Sequence, residues 1–324
     1  MTTIADIEAA ADRLKDVAVR TPLLHSASLD ELAGGTVLLK AECLQRTGSF
    51  KIRGAYNLLS QLSPEQAQRG AVAWSSGNHA QGVAAAGAML GIHTAIVMPE
   101  DAPKAKLENT QRLGGEVITY DRYTGDREAI AREVAAERGA EIVPSYEHVN
   151  IIAGQGTVGL EIADESIALG MPVDQVVIPC GGGGLTAGSA VALKARLPNV
   201  SVYTAEPEHY DDTLQSLRRG ERVSVPTDVP SLCDALLTDS PGQLTLDIMQ
   251  THVSDGLVVT EDEVRAAMRF AFRELKLVVE PGGAAALAAI LAGKIETSDR
   301  VTAVVLSGGN VDADLFASIQ VGPV

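Results

Sequence analysis

Lys51 lies in Thr47-Gly48-Ser49-Phe50-Lys51-Ile52-Arg53-Gly54-Ala55, where the pattern turns helical. A lysine in the first turn of a helix faces the positive end of the macrodipole, which disfavours its charged form. Burial pushes the same way. A lysine with a lowered pKa is what Schiff-base chemistry requires. Three polar, glycine-rich segments accompany it: Ser75-Ser76-Gly77-Asn78-His79, Gly181-Gly182-Gly183-Gly184 and Ser307-Gly308-Gly309-Asn310. Each follows a short apolar run that reads as a strand.

The four-glycine run carries the most direct chemical signal. Glycines between a strand and a helix leave backbone N–H groups bare at a positive helix end, which stabilises any phosphate. The same glycines also suit a tight turn with close helix–strand packing. Gly182-Gly183-Gly184-Leu185-Thr186-Ala187 fits G-x-G-x-x-A, and an acid, Glu206, ends the next strand about 20 residues on. A nicotinamide (NAD-dependent) dehydrogenase is therefore one reading of this segment.

The elements that would position these groups alternate. Helical spacing covers 4–17, 49–62, 81–90, 104–113 and 126–138, then 159–169, 185–196, 261–275 and 284–291. Strand-like runs cover 37–41, 71–74, 93–98, 116–120 and 141–144, then 175–179, 201–205 and 301–306. Such alternation implies parallel sheets covered by helices, an α/β fold. In open sheets of this kind ligands bind beyond the carboxyl ends of the strands, so three loops there suggest one site built from distant segments. The irregular stretch 218–241, with Pro226, Pro230 and Pro241, is expected to be a surface excursion.

Composition narrows the partners. The 324 residues carry 26 Lys and Arg against 42 Asp and Glu, a net charge of −16. Such a chain repels phosphate backbones, and 3% aromatic residues give no stacking platform, so nucleic acid is excluded as a partner. No apolar run reaches about 18 residues, so no membrane partner is expected. Cys43, Cys180 and Cys233 show neither disulfide nor zinc spacing and fit a reducing compartment. With an early acidic N-terminus that lacks a signal peptide's apolar region, this points to a cytoplasmic protein.

Taken in order, S-F-K-x-R-G-A, S-S-G-N-H, G-G-G-G-L and S-G-G-N resemble fold-type II pyridoxal-phosphate enzymes. The similarity is strongest to the serine/threonine dehydratase and serine racemase family, and it runs from Thr21-Pro22-Leu23 to Asn310. It implies two α/β lobes of the tryptophan synthase β-like type, a small one over 52–146 and a large one over 1–51 and 147–324. The cofactor, pyridoxal 5'-phosphate, would lie in the cleft between them. A homodimer is implied. No regulatory domain is expected after Ser307.

By the same resemblance, Lys51 would hold the cofactor as a Schiff base and act as an acid/base. Phe50 would pack on one ring face, Asn78 would bond the ring hydroxyl oxygen, and the Gly181, Gly182, Gly183 and Gly184 amides would cradle the phosphate. Ser307 would bond the pyridine nitrogen. Ser75, Ser76, Gly77 and His79 would receive the substrate carboxylate. A carboxylate at position 307 would keep the ring nitrogen protonated; a serine only shares a hydrogen bond. That favours expulsion of a β-leaving group over transamination. The expected activity is dehydration and deamination of L-serine or L-threonine to a 2-oxo acid and ammonia.

Serine racemase and 3-hydroxyaspartate ammonia-lyase activities remain open as alternatives. Ser76 is the serine that, in racemases, is the acid/base opposite the lysine; it equally suits carboxylate binding. No unexplained arginine stands out in the sequence for a second substrate carboxylate. Ala205-Glu206-Pro207-Glu208-His209-Tyr210-Asp211-Asp212 resembles the racemases' divalent-cation loop. Glu206, Asp212 and the Tyr210 carbonyl would bind Mg²⁺, Mn²⁺ or Ca²⁺, unless the segment is an acidic turn. Ala235 departs from the family's glycine in Ser231-Leu232-Cys233-Asp234-Ala235. Arg53 is expected to anchor its helix, not to react.

Overall fold

The computed structural model describes residues 1–322 apart from Ser76, Pro103, Arg122 and the side chain of Ala105. The expectations for Ser76 thus lie outside the described residues. Ten strands are found among those described: β1 (Leu23–His25), β2 (Thr36–Lys40), β3 (Ala71–Trp74), β4 (Thr94–Pro99), β5 (Glu116–Tyr120), β6 (Glu141–Ile142), β7 (Gln175–Pro179), β8 (Ser201–Pro207), β9 (Asp255–Val259) and β10 (Val301–Val305). One sheet has the order β1-β2-β10-β7-β8-β9, and only β1 runs antiparallel. The other has the order β5-β4-β3-β6 and is wholly parallel.

Period-two alternation assigns the faces of both sheets. In the larger sheet Leu39, Val177 and Val304 face a core shared with the helices Glu261–Arg273 and Pro281–Leu291. Leu38, Ile178 and Val305 face the opposite core, with Val158 and Ile162 of the helix Val149–Ala168. In the smaller sheet Ala73, Ile96 and Met98 face one layer, and Val72, Ala95 and Val97 the other. Among the described residues, no helix is long and apolar enough to cross a membrane.

Two expectations are corrected. The helix expected over 159–169 begins at Val149. Gly154, Gly156 and Gly159 argue against a helix there, since each costs about 1 kcal/mol relative to alanine. Packing overrides that cost. A Cβ at Gly154 would strike the Arg53 carbonyl, and one at Gly156 would lie 2.8 Å from the Gly188 carbonyl carbon. The helix therefore touches the backbones of both the Lys51–Leu59 and Gly184–Arg196 helices.

The stretch 218–241 is not only a surface excursion. Arg222 donates to the Pro241 carbonyl and to Ser240 Oγ, both at 2.7 Å, which folds the segment back on itself. Its last part, Asp234–Asp239, lines the principal cavity.

The helix carrying Lys51 is tied down by charge. Arg53, 1% exposed, donates to both Glu42 carboxylate oxygens at 2.9 and 2.8 Å and to both Glu161 oxygens at 2.7 and 2.9 Å. Such forked pairs fix direction as well as distance. Arg53 is an anchor of this helix.

Candidate active site

A cavity of about 720 Å³ opens beyond the carboxyl ends of β3, β7 and β10. It brings together Phe50, Lys51, Ser75, Gly77, Asn78, His79, Gly181–Gly184 and Ser307. Three glycine-bearing loops and the lysine segment thus share one wall, as their places after strands suggested.

Lys51 opens the helix Lys51–Leu59 directly after Phe50. Its Nζ donates to the Ser145 carbonyl at 3.1 Å and lies 5.0 Å from the Phe50 ring centroid. Burial lowers its pKa to about 8, against the opposing pull of Glu280. Neutral amine is therefore accessible near physiological pH, which suits a nucleophile toward an aldehyde.

The lysine segment is laced to the loop after β10. Phe50 N–H donates to the Ser307 carbonyl at 3.2 Å, and Gly309 N–H donates to the Gly48 carbonyl at 2.9 Å. Ser307 is buried and faces the cavity. Asn310, for which the sequence suggested no role, donates through Nδ2 to the Thr47 carbonyl and to Asn78 Oδ1, both at 2.7 Å.

The four-glycine loop joins β7 to the helix Gly184–Arg196. Gly183 precedes that helix with φ +92° and no side-chain cap, so the helix's first N–H groups stay open toward the cavity. A Cβ at Gly182 would strike the Tyr146 ring, one at Gly183 would lie 2.6 Å from Met249 Cε, and one at Gly184 would strike Gln155 Oε1. Bare amides at a helix N-terminus, with no room for side chains, form a cradle for a phosphate.

The helix that follows β3 begins without a side-chain cap and so offers a second set of N-terminal amides. Gly77 precedes the helix Asn78–Leu90 without a side-chain cap, and a Cβ there would meet nothing within 4 Å. Gly77 N–H donates to Ser75 Oγ at 3.2 Å. The His79 ring donates its Nε2–H to the Val143 carbonyl at 2.8 Å. Burial, with Lys51 nearby, depresses its pKa to about 3, so the ring is neutral. The ring offers a carboxylate neither charge nor N–H, which leaves the backbone N–H of His79, in the first turn of the helix Asn78–Leu90, as its group for the expected carboxylate site.

Glu280 went unnoticed in the sequence. It immediately precedes the helix Pro281–Leu291 but makes no cap with its side chain. Its Oε1 accepts from Asn78 Nδ2 at 2.6 Å. Burial and then Asp234 raise its pKa to about 7, while the Asn78 hydrogen bond, Lys106 and Lys51 lower it. The only sequence signal was an acid placed before Pro-Gly-Gly without the Ser, Thr, Asp or Asn of an ordinary helix start.

Glu206, Tyr210 and Asp212 lie outside this cavity, at the end of β8 and the start of the helix Asp212–Arg219. Glu206 accepts from Thr213 N–H and Leu214 N–H at 2.8 and 2.9 Å. It caps that helix with both carboxylate oxygens and is fully buried away from the cavity, so the ribose-ligand reading lapses. Burial and Asp212 raise the Glu206 pKa. Asp212, raised to about 8 chiefly by burial, has a buried Oδ2 without a hydrogen-bond partner. Tyr210 donates its hydroxyl to the Val229 carbonyl at 2.7 Å. Among the described residues, no group of three or more His, Cys, Asp or Glu is placed to hold a metal ion.

These residues fit pyridoxal phosphate: a half-buried amine of lowered pKa, a bare amide cradle, a neighbouring aromatic ring and a buried serine share one cavity. Residues 14–308 match the family model described as pyridoxal-phosphate dependent enzyme. The chain is 40% identical over 322 residues to the L-threo-3-hydroxyaspartate ammonia-lyase of a Pseudomonas species, covering 99% of each. It is also 40% identical to the serine racemase of Schizosaccharomyces pombe, covering 98% of this chain and 97% of that protein. The solved structure of the processed form of threonine deaminase isoform 2 from Solanum lycopersicum superposes with a TM-score of 0.91 at 32% identity, over 98% of this chain and 86% of that one. By sequence and by fold, the chain belongs to the pyridoxal-phosphate dependent enzyme family.

Proposed function

We propose that this chain is an ammonia-lyase that removes the β-hydroxyl of a 3-hydroxy amino acid such as L-serine or L-threonine, giving a 2-oxo acid and ammonia. The observation that carries the proposal is Ser307, a hydroxyl in the cavity wall at the end of β10 where a carboxylate would serve transamination. The bound cofactor supplies the electron sink for the bond-breaking at Cα. Ser307 would share a hydrogen bond with the ring nitrogen and leave that sink shallow, which would favour loss of a β-group.

In this reading Lys51 holds the cofactor covalently and moves the Cα proton. Phe50 covers one ring face. Asn78 gives its remaining N–H to the ring oxygen, and the Gly181–Gly184 amides hold the phosphate. The Ser75–Gly77 loop and the start of the helix Asn78–Leu90 orient the substrate carboxylate.

Two further readings have specific support. The similarity to serine racemase supports inversion at Cα, with Ser76 as the second acid/base. The cavity is also lined by Lys106, Arg127, Arg132 and Arg222, cations that the sequence alone did not single out for this role. Lys106 is paired with Asp234 at 2.7 Å, Arg132 with Glu128, and Arg222 is held by Ser240 and the Pro241 carbonyl, so a second carboxylate, as in 3-hydroxyaspartate, would draw on Arg127 or replace one of these partners. Purified holoenzyme given L-serine, L-threonine and L-threo-3-hydroxyaspartate, with keto acid and amino-acid chirality measured, tests all three. Absence of keto acid from every substrate would remove the lyase proposal.

A divalent cation (Mg²⁺, Mn²⁺ or Ca²⁺) on Glu206, Asp212 and the Tyr210 carbonyl is part of the proposal. Its support is the buried carboxylate pair, whose mutual repulsion a cation would relieve. The lobe division 52–146 against 1–51 and 147–324 is supported by the smaller sheet, whose strands all fall within 71–142. A homodimer rests on the family resemblance. A cytoplasmic location rests on three free, buried cysteines.

A further inference from the structure

Asn310, Asn78 and Glu280 form one directed hydrogen-bond chain beside Lys51. It begins at the Thr47 carbonyl, which can only accept. Asn310 must therefore turn its nitrogen to Thr47, at 2.7 Å, and the same nitrogen donates to Asn78 Oδ1, also at 2.7 Å. Asn78 is thereby oriented: its oxygen faces Asn310 and its nitrogen faces Glu280 Oε1, at 2.6 Å. Flipping the Asn78 carboxamide would set oxygen against the Glu280 carboxylate and nitrogen against the Asn310 nitrogen. One hydrogen of Asn78 Nδ2 is used by Glu280, and one remains.

The surrounding backbone is shaped around both outer members. A Cβ at Gly308 would collide with Glu280 Oε1, and one at Gly48 would collide with Asn310 Oδ1. Gly48 has φ +72°, and Thr47 before it has φ +62°, a left-handed conformation that strains a non-glycine residue. Glu280 is 4% exposed and Asn78 9% exposed, so each needs its partner. The groups that act on Glu280 are Asp234, Lys106 and Lys51. Ionised or protonated, its carboxyl offers Asn78 an acceptor oxygen.

We infer that Glu280 and Asn310 are positioning residues of the cofactor site: acting through Asn78, they lock its carboxamide with one N–H presented to the ring hydroxyl oxygen and exclude the flipped orientation that would present an oxygen. This rests on the reading that Asn78 faces that oxygen.

The test is reconstitution of the full-length chain with pyridoxal phosphate after hydroxylamine removal. Cofactor Kd and the visible absorption band are read separately from turnover, and fold is checked by circular dichroism. Glu280→Leu and Asn310→Ala should each raise Kd by about tenfold or more and displace the band, the cost of an unpaired buried amide. Glu280→Gln keeps an acceptor oxygen and should hold Kd within about threefold of the parent value. Parent affinity and spectrum in folded Glu280→Leu, or equal losses in Glu280→Gln and Glu280→Leu, would overturn the inference. If Glu280→Leu does not fold, Asn310→Ala, in a half-buried loop, decides alone. Asn78→Ala separates the two levels. Parent behaviour there removes the Asn78 reading itself. Loss there, with parent behaviour in Glu280→Leu and Asn310→Ala, overturns only the positioning network.

Discussion

Lys51 and Gln155 donate to the same acceptor, the Ser145 carbonyl, at 3.1 and 3.0 Å. Gln155 is 1% exposed, and its Oε1 is left without a partner beside Gly184. When Lys51 bonds the cofactor, the Ser145 oxygen keeps Gln155 as a donor, so releasing the lysine strands no buried carbonyl. Lys51→Ala should therefore leave the fold intact while abolishing the cofactor's visible band and cutting turnover by several orders of magnitude. A variant that kept both band and activity would end the assignment.

The cofactor-free protein should reveal the cost of burying that amine. Lys51 falls from its ordinary 10.5 to about 8 because burial disfavours the charged form. Between those values the unfolded chain binds a proton that the folded chain does not, so stability rises with pH across the window. Below about 8 the penalty is fully present. Lys51→Met should thus stabilise the cofactor-free chain at pH 7 by about 1–3 kcal/mol, with the gain shrinking toward pH 10.5. Urea denaturation across this range measures it; an unchanged pH slope in the variant would contradict it.

Chelator should lower the melting temperature or the activity, and Mg²⁺, Mn²⁺ or Ca²⁺ should restore it, because a ligand of the folded state alone stabilises by mass action. Asp212→Ala should abolish the response. Indifference of the unmodified enzyme to chelator and to added cation would reduce Glu206 and Asp212 to a helix cap with an acidic neighbour.

Ser76→Ala should separate racemisation from elimination. Lys51 can take the Cα proton from one face only, whereas inversion requires delivery to the other. The variant should lose L-to-D conversion, and any reaction of D-serine, far more than keto-acid formation from L-serine. Equal losses with the visible band intact would make Ser76 a carboxylate ligand and no acid/base.

Much of this architecture was legible from the chain itself. The runs 71–74, 116–120 and 175–179 are strands at those bounds, because short β-rich segments closed by Gly, Pro or polar residues have few other states. β9 was missed because Asp255 and Gly256 dilute its apolar signal. The early part of the helix Val149–Ala168 was missed because its glycines serve contacts with distant backbones. Lys51 and the glycine loops announce themselves through local pattern, and one cavity gathers them. Glu280 and Asn310 do not, because their meaning lies in what they touch. The Asn310–Asn78 and Asn78–Glu280 bonds span 232 and 202 residues of chain.

The helix Val149–Ala168 has a consequence for ligand fit. One stretch of its backbone rests on the Arg53 carbonyl of the helix that begins with Lys51, and the next turn rests on Gly188 and Ser189 of the helix that begins at the four-glycine loop. Backbone-to-backbone contact has no rotamer to relax. The helix is therefore a rigid gauge block between two points that, in the proposed function, would hold the aldehyde end of the cofactor and its phosphate end. A ligand of fixed length meets a gap whose width is machined by main-chain atoms. A single methyl group at Gly154 or Gly156 would mis-set that gap from a position that touches neither end.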